Sequence, residues 1–271
     1  MIPIGVVLAP FGAGYTELRE AAQQLDQLGF DSVWVWDHYM SWNDPRESVL
    51  ECWTTLAGLA EATRHIRLGP LVANNTNRHP GRLAKVAATL HELSGGRLEL
   101  GIGAGGRAVE QSLFGIDQGD RAERTARLAE ALQIIPALWT GEPVTFQGRY
   151  YQLNDAIAAP RQHPRPRIIV GGRSVTMARL AGQYADGLNL QWGFRETFGT
   201  IVEALDATLR ERGRTPTDFD LSVHADWRDL MRDPADMIRQ WEEAGFRRVM
   251  LAASAPFPLR EFEQVARQSL A

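Results

Sequence analysis

Eight short apolar runs, each followed by a stretch of helical periodicity, limit what this chain can become more than any other feature. The runs are Ile4 to Ala9, Ser32 to Trp36, Ile66 to Val72, Arg97 to Ile102, Arg167 to Val170, Gly187 to Leu190, Asp220 to Val223 and Arg248 to Ala252. Strands that alternate with helices build parallel sheets, and eight such units close a barrel. The expected architecture is an α/β fold, a (β/α)8 TIM barrel, formed as a single domain over residues 1–271.

The helices are read from spacing. Leu18, Ala21, Ala22, Leu25 and Leu28 recur on one helical face, with Thr16 as the expected N-cap and Gly29 as the stop. Trp53, Leu56, Ala57 and Ala60 repeat the pattern, as do Leu128, Ala131, Leu132 and Ile135, then Ile201, Val202, Leu205 and Leu209. Met237, Ile238 and Trp241 mark another. Pro80, Pro234 and Pro258 fall where first helical turns are expected, whereas Pro136 falls inside a pattern and is expected to kink it. Between the fourth and fifth strands lies more chain than one helix needs, so an insertion is expected at about residues 140–165. Within it, Val144 to Leu153 reads as a hairpin with Gln147-Gly148 at its turn, and Pro160, Pro164 and Pro166 mark an extended connection.

Composition narrows the ligand. A chain of 271 residues with 44% hydrophobic content can bury a large core, and a formal net charge of −4 argues against nucleic acid or an anionic membrane as partner. Cys52 is the only cysteine, which excludes an internal disulfide or a thiolate zinc cluster and fits a reducing compartment. No run approaches the ~20 apolar residues that span a bilayer, and Met1 to Leu8 enters a strand without a basic region. A cytoplasmic protein acting on a small molecule is the expectation, and a homodimer is compatible with it. Lys85, the only lysine, lies in the helical pattern of Leu83, Val86, Ala87 and Leu90. Schiff-base chemistry, which needs an amine among the reacting groups, is therefore not expected.

Chemistry in such barrels sits at the C-terminal strand ends. Val33-Trp34-Val35-Trp36-Asp37-His38 ends a strand in an acid and an imidazole, so Asp37 and His38 are the candidate catalytic residues. The same pair could instead cap the following loop. Trp42, with Tyr39 and Met40 before it, offers an aromatic wall beside His38, and Asn74, Asn75, Arg78 and His79 offer donors after the third strand. The turn Gly101-Ile102-Gly103-Ala104-Gly105-Gly106-Arg107 lets backbone approach a planar or anionic ligand. It is a poor dinucleotide fingerprint, because it is not at a first β/α turn and its helix is expected only after residue 120. Strand, Gly171, Gly172, Arg173 and then a helix opened by Ser174 form the stronger anion signal. Gln191 and Trp192 are secondary candidates there. His224-Ala225-Asp226 lacks a second histidine pair and is read as structural, with no metal site expected.

Together these residues resemble the luciferase-like monooxygenase superfamily of flavin and deazaflavin oxidoreductases, in particular its branch dependent on coenzyme F420. The resemblance is carried by Gly29 to His38, Ile66-Arg67-Leu68-Gly69, Arg78-His79-Pro80, Leu93 to Gly105, Trp139-Thr140-Gly141-Glu142, Gly148-Arg149-Tyr150-Tyr151 and Ala185-Asp186-Gly187. It implies an F420-dependent oxidoreductase that transfers a hydride between the deazaflavin and a small organic substrate. The alternative it leaves is an FMNH2-dependent monooxygenase with a partner flavin reductase. It also implies a cofactor ring at the C-terminal mouth, held by Asp37, His38, Asn75, Gly103, Ala104, Gly105 and Gln191, with its phosphate on Gly171, Gly172 and Arg173. A non-prolyl cis peptide at Leu71-Val72 would back the ring, and His38 would exchange the proton. Two departures stand out: Gly106 occupies a position where relatives carry Trp or an acid, and the chain beyond about residue 191 matches no motif.

Overall fold

The computed structural model describes residues 2–269 of the chain, so the ends of the expected 1–271 domain lie outside the described residues. Its strands are β1 (Ile4–Leu8), β2 (Ser32–Val35), β3 (Arg67–Pro70), β4 (Ala73–Asn74), β5 (Glu99–Gly103), β6 (Val144–Gln147), β7 (Gln152–Ala156), β8 (Arg167–Gly171), β9 (Gly187–Gln191), β10 (Asp220–Asp226) and β11 (Arg248–Ala253). Its helices are α1 (Tyr15–Gln27), α2 (Cys52–Ala62), α3 (Pro80–Leu93), α4 (Ala108–Leu113), α5 (Arg121–Leu138), α6 (Val175–Tyr184), α7 (Phe198–Glu211), α8 (Trp227–Arg232), α9 (Pro234–Glu243) and α10 (Leu259–Ser269).

Nine strand segments pair in the order β3-β2-β1-β11-β10-β9-β8-β5-β4, and every pair is parallel. β3 and β4 are two halves of the expected third strand, interrupted at Leu71-Val72, whose peptide bond is cis. Counted as one strand they give eight, and the Leu68 N–H donating to the Arg97 carbonyl at 3.1 Å closes the ring. The expected barrel is the observed one.

Two cores follow from strand alternation. Outward residues such as Val6, Val33, Leu100, Val170 and Leu188 pack with the helices in one continuous layer. Inward residues Val7, Trp34, Leu71, Ile169 and Met250 form a separate plug inside the barrel. Trp34 is fully buried there, and its large ring fits because Gly69 faces it from the neighbouring strand: a β-carbon on Gly69 would lie 3.0 Å from the indole. Below the plug, at the N-terminal strand ends, Arg248 donates to Glu99 at 2.6 Å and to Asp220 at 2.5 Å, and its guanidinium lies over Trp34. Arg67 extends the network to Asp31 and to Glu99.

Three expectations need correction. α1 is capped by Gly14, not Thr16, because the Glu17 carboxylate accepts the Gly14 N–H at 2.9 Å. The hairpin loop is four residues, Gly148 to Tyr151, rather than a tight Gln147-Gly148 turn. Glu130 of α5 explains it, accepting N–H bonds from Arg149, Tyr150 and Tyr151. Finally, a helix opens at Ala108, well before residue 120.

Candidate active site

The C-terminal strand ends open into a cavity of about 1020 Å³, the expected face of the barrel. Asp37 and His38 leave β2 at its rim, and their side chains separate. Asp37 is 2% exposed and accepts the Arg78 guanidinium through both oxygens, at 2.6 and 3.1 Å, together with the Asn74 N–H at 2.9 Å. Arg78 also reaches Glu51, the N-cap of α2, at 2.7 Å. Burial opposes the Arg78 charge, but the Asp37 carboxylate overrides it and raises the guanidinium pKa. Asp37 therefore ties β2 to the turn after β4. It does not orient His38.

That task falls to Glu110. Its carboxylate accepts His38 Nδ1 at 2.8 Å and the Tyr39 N–H at 2.7 Å, with Glu110 only 1% exposed. A carboxylate on Nδ1 fixes that nitrogen as the N–H donor and leaves Nε2 to the cavity. The acid missing at Gly106 is thus supplied one helical turn later, from α4. Sequence reading passed over Glu110 because a helix of six residues is too short to show a period.

Aromatic rings stand beside His38. Trp36 and Trp42 stack with centroids 5.1 Å apart and an interplanar angle of 14°. Phe11 packs against both at 5.6 and 5.1 Å, and the Trp42 ring meets His38 edge-on at 5.3 Å. Trp42 is 46% exposed, an open aromatic surface at the mouth.

Val72 forms the floor opposite. β-Carbons on Gly103 or Gly171 would come within 2.8 and 2.6 Å of its methyl groups, so both positions suit glycine against Val72. Ala104, Gly105, Gly172 and Arg173 continue this wall, with Leu71 and Gln191 also lining it. Ser174 caps α6, whose N-terminus opens onto the cavity, and Arg173 lies over Phe194 at 4.0 Å. Arg107, Arg121 and Arg124 line the same side. Together with Arg173 they make four arginines that pair with no carboxylate among the described residues.

Three expected contributors lie elsewhere. Asn75 is fully buried behind the wall, and Asn74 faces the cavity in its place. His79 caps α3 by accepting the Gly81 N–H at 3.1 Å. Trp192 turns outward against Trp241 and Phe198. His224, read as structural, instead lines the cavity. Its Nδ1 donates to Asn189 Oδ1 at 2.6 Å, an oxygen oriented because the Asn189 amide donates to Ser222 at 3.1 Å. Burial pushes the His224 pKa down to about 4, so the ring is neutral at pH 7. No group of three His, Cys, Asp or Glu side chains that could hold a metal occurs among the described residues.

Known proteins resemble this chain to different depths. An F420-dependent glucose-6-phosphate dehydrogenase from Microbacterium testaceum is 35% identical over 210 residues, 76% of this chain. A 4-hydroxyprotoasukamycin monooxygenase from Streptomyces nodosus subsp. asukaensis is 36% identical over 239 residues, 82% of this chain. The chain spans 62% of the length of each of these relatives. Among solved structures, an F420-dependent secondary alcohol dehydrogenase in complex with an F420-acetone adduct superposes with a TM-score of 0.86. It covers 97% of this chain and 98% of its own at 20% identity, a likeness of fold. His38, the break at Leu71-Val72 and the Gly171-Gly172 wall all lie within residues 3–226, over which the sequence matches one family model. The chain belongs to the luciferase-like monooxygenase family.

Proposed function

We propose that the protein is an F420-dependent oxidoreductase acting on a small organic substrate. The observation that carries this reading is His38, held through Nδ1 by Glu110 with Nε2 left to a cavity whose other wall suits a flat, anionic cofactor. Val72, Gly103 and Gly171 would lie under the ring, while the α6 N-terminus, Ser174 and Arg173 would hold the phosphate. When bound, the deazaflavin supplies a ring carbon that accepts or gives a hydride. The chain's own part is positioning and one proton. His38 takes a substrate proton at Nε2 or returns it, and Glu110 stabilises the cationic ring that forms in between. Trp36, Trp42 and Phe11 give that side an aromatic face against which an apolar part of the substrate can rest.

Titration with F420 and with FMN, read by cofactor absorbance, tests the assignment: F420 is expected to bind and to change redox state only with substrate present. Arg173→Ala is expected to weaken cofactor binding about 10- to 150-fold, the equivalent of one charge-assisted contact. An unchanged dissociation constant removes Arg173 from the phosphate site. His38→Asn is expected to lower turnover by roughly 10²- to 10⁴-fold at unchanged cofactor affinity. The similarity to a monooxygenase over 82% of the chain supports a second reading, oxygen chemistry with reduced FMN and a partner reductase. Tight FMN binding with no affinity for F420 would select it. The reading also includes a cytoplasmic location, supported by a single, buried, unpaired cysteine.

A further inference from the structure

The cavity carries more positive charge than one phosphate requires. A phosphate at the α6 N-terminus is served by backbone N–H groups, the Ser174 hydroxyl and Arg173. Arg107 is engaged elsewhere, its guanidinium lying 5.0 Å from the centre of the Trp42 ring. Arg121 and Arg124 remain, in the first turn of α5, both lining the cavity. β5 and β8 are adjacent strands and α5 packs against α6, so these two arginines stand beside the phosphate wall on the same rim. Arg124 bonds only the Gly119 carbonyl, at 2.9 Å, and its Nε is buried without a partner.

The neighbouring carboxylates are occupied. Asp117 accepts the Gly119 N–H, Asp120 caps α5 through the Glu123 N–H, and Glu123 pairs with Arg127 at 2.5 Å. None of the three lines the cavity. Asp226 and Asp229 also line the cavity, but they pair with Arg228 at 3.3 Å and Arg232 at 3.5 Å, so Arg121 and Arg124 face the open space paired with no carboxylate among the described residues, at a helix N-terminus that adds to their field.

We propose that Arg121 and Arg124 form a second anion subsite that takes carboxylates, specifically the acidic γ-glutamyl tail that F420 carries beyond its phosphate. The proposal rests on the F420 reading and extends it to the part of the cofactor that FMN lacks. Two guanidinium groups three residues apart on one helix suit successive carboxylates of a flexible chain better than a single compact anion. Affinity for the cofactor should rise with tail length, and that increment should be salt-sensitive, because exposed charge pairs are screened.

Cofactor binding to the intact protein, read by F420 fluorescence, tests this with a series: the form without glutamates, the form with one, and forms with several. The wild type is expected to bind the multi-glutamate form at least 10-fold more tightly than the form without glutamates. In Arg121→Gln/Arg124→Gln that ratio should fall below about 2-fold, while affinity for the tail-less form stays within 2-fold. Arg121→Lys/Arg124→Lys, which keeps both charges, should restore most of the ratio and shows that a loss in the glutamine variant is not misfolding. Equal affinities across the series in the wild type overturn the subsite, as does a ratio that survives in the double glutamine variant. Free tetra-γ-glutamate, titrated by calorimetry at low salt, separates the two claims. If it binds the wild type and not the double variant while F420 does not bind, the subsite stands and the cofactor reading falls; if neither binds, both fall.

Discussion

The Glu110 carboxylate is bonded to His38 Nδ1 at 2.8 Å, so under the proposed function Glu110 is best tested as a positioning residue. Glu110→Gln keeps the shape and the Tyr39 contact but removes the carboxylate charge beside His38 Nδ1. The expected result is a lower kcat at unchanged KM and cofactor affinity, with thermal stability nearly unchanged. A purely structural Glu110 would lower stability and leave the rate per folded molecule within a few-fold. His224 yields a different pH effect. Its folded pKa of about 4 lies below the unfolded value near 6.5, so the unfolded chain binds the extra proton first as pH falls. Its contribution is intact above pH 6.5 and is lost between 6.5 and about 4, by on the order of 3 kcal/mol. Denaturant unfolding of His224→Asn across that window should show a correspondingly flatter dependence on pH. His38 was legible in the sequence because a strand end announces it. Glu110 and His224 were not, since their roles come from which strands and helices the barrel makes neighbours.

At the scale of elements, Arg78 fastens the end of β2 to the turn after β4 and to the start of α2 through two ion pairs, to Asp37 and to Glu51. Asp37 is nearly inaccessible, so Arg78→Ala would strand a buried carboxylate, and destabilisation of about 3 to 5 kcal/mol is expected in urea titration. Arg78→Lys, with one point charge for two bonded oxygens, should recover only part of that loss. The eight strand runs could be read from apolar content and spacing, and their ends came out within a few residues. The broken third strand was legible only through family likeness, because Ile66 to Val72 reads as one continuous apolar run. α4 escaped notice for want of length, and the hairpin loop was misjudged because Glu130, eighteen residues before Gly148, sets its shape. Local chemistry reveals elements; it does not reveal the side chain that arrives from another one.

In the whole molecule, the buried ion network and the candidate site occupy opposite ends of the barrel. Arg248, 3% exposed, neutralises Glu99 and Asp220 at the N-terminal strand ends, beneath the Trp34 plug. Arg248→Met should lower stability by roughly 3 to 5 kcal/mol, because buried Asp220 loses its 2.5 Å partner and buried Glu99 keeps only Arg67, yet leave the cofactor dissociation constant of the folded fraction unchanged. A parallel loss of cofactor affinity would mean the two ends are coupled. The seal has a further consequence for traffic. With the barrel filled at Trp34, a molecule seated above Val72 would share the C-terminal mouth with one resting against Trp42. The expected kinetic pattern under the proposed function is an ordered one, in which the molecule seated deepest enters first and departs last.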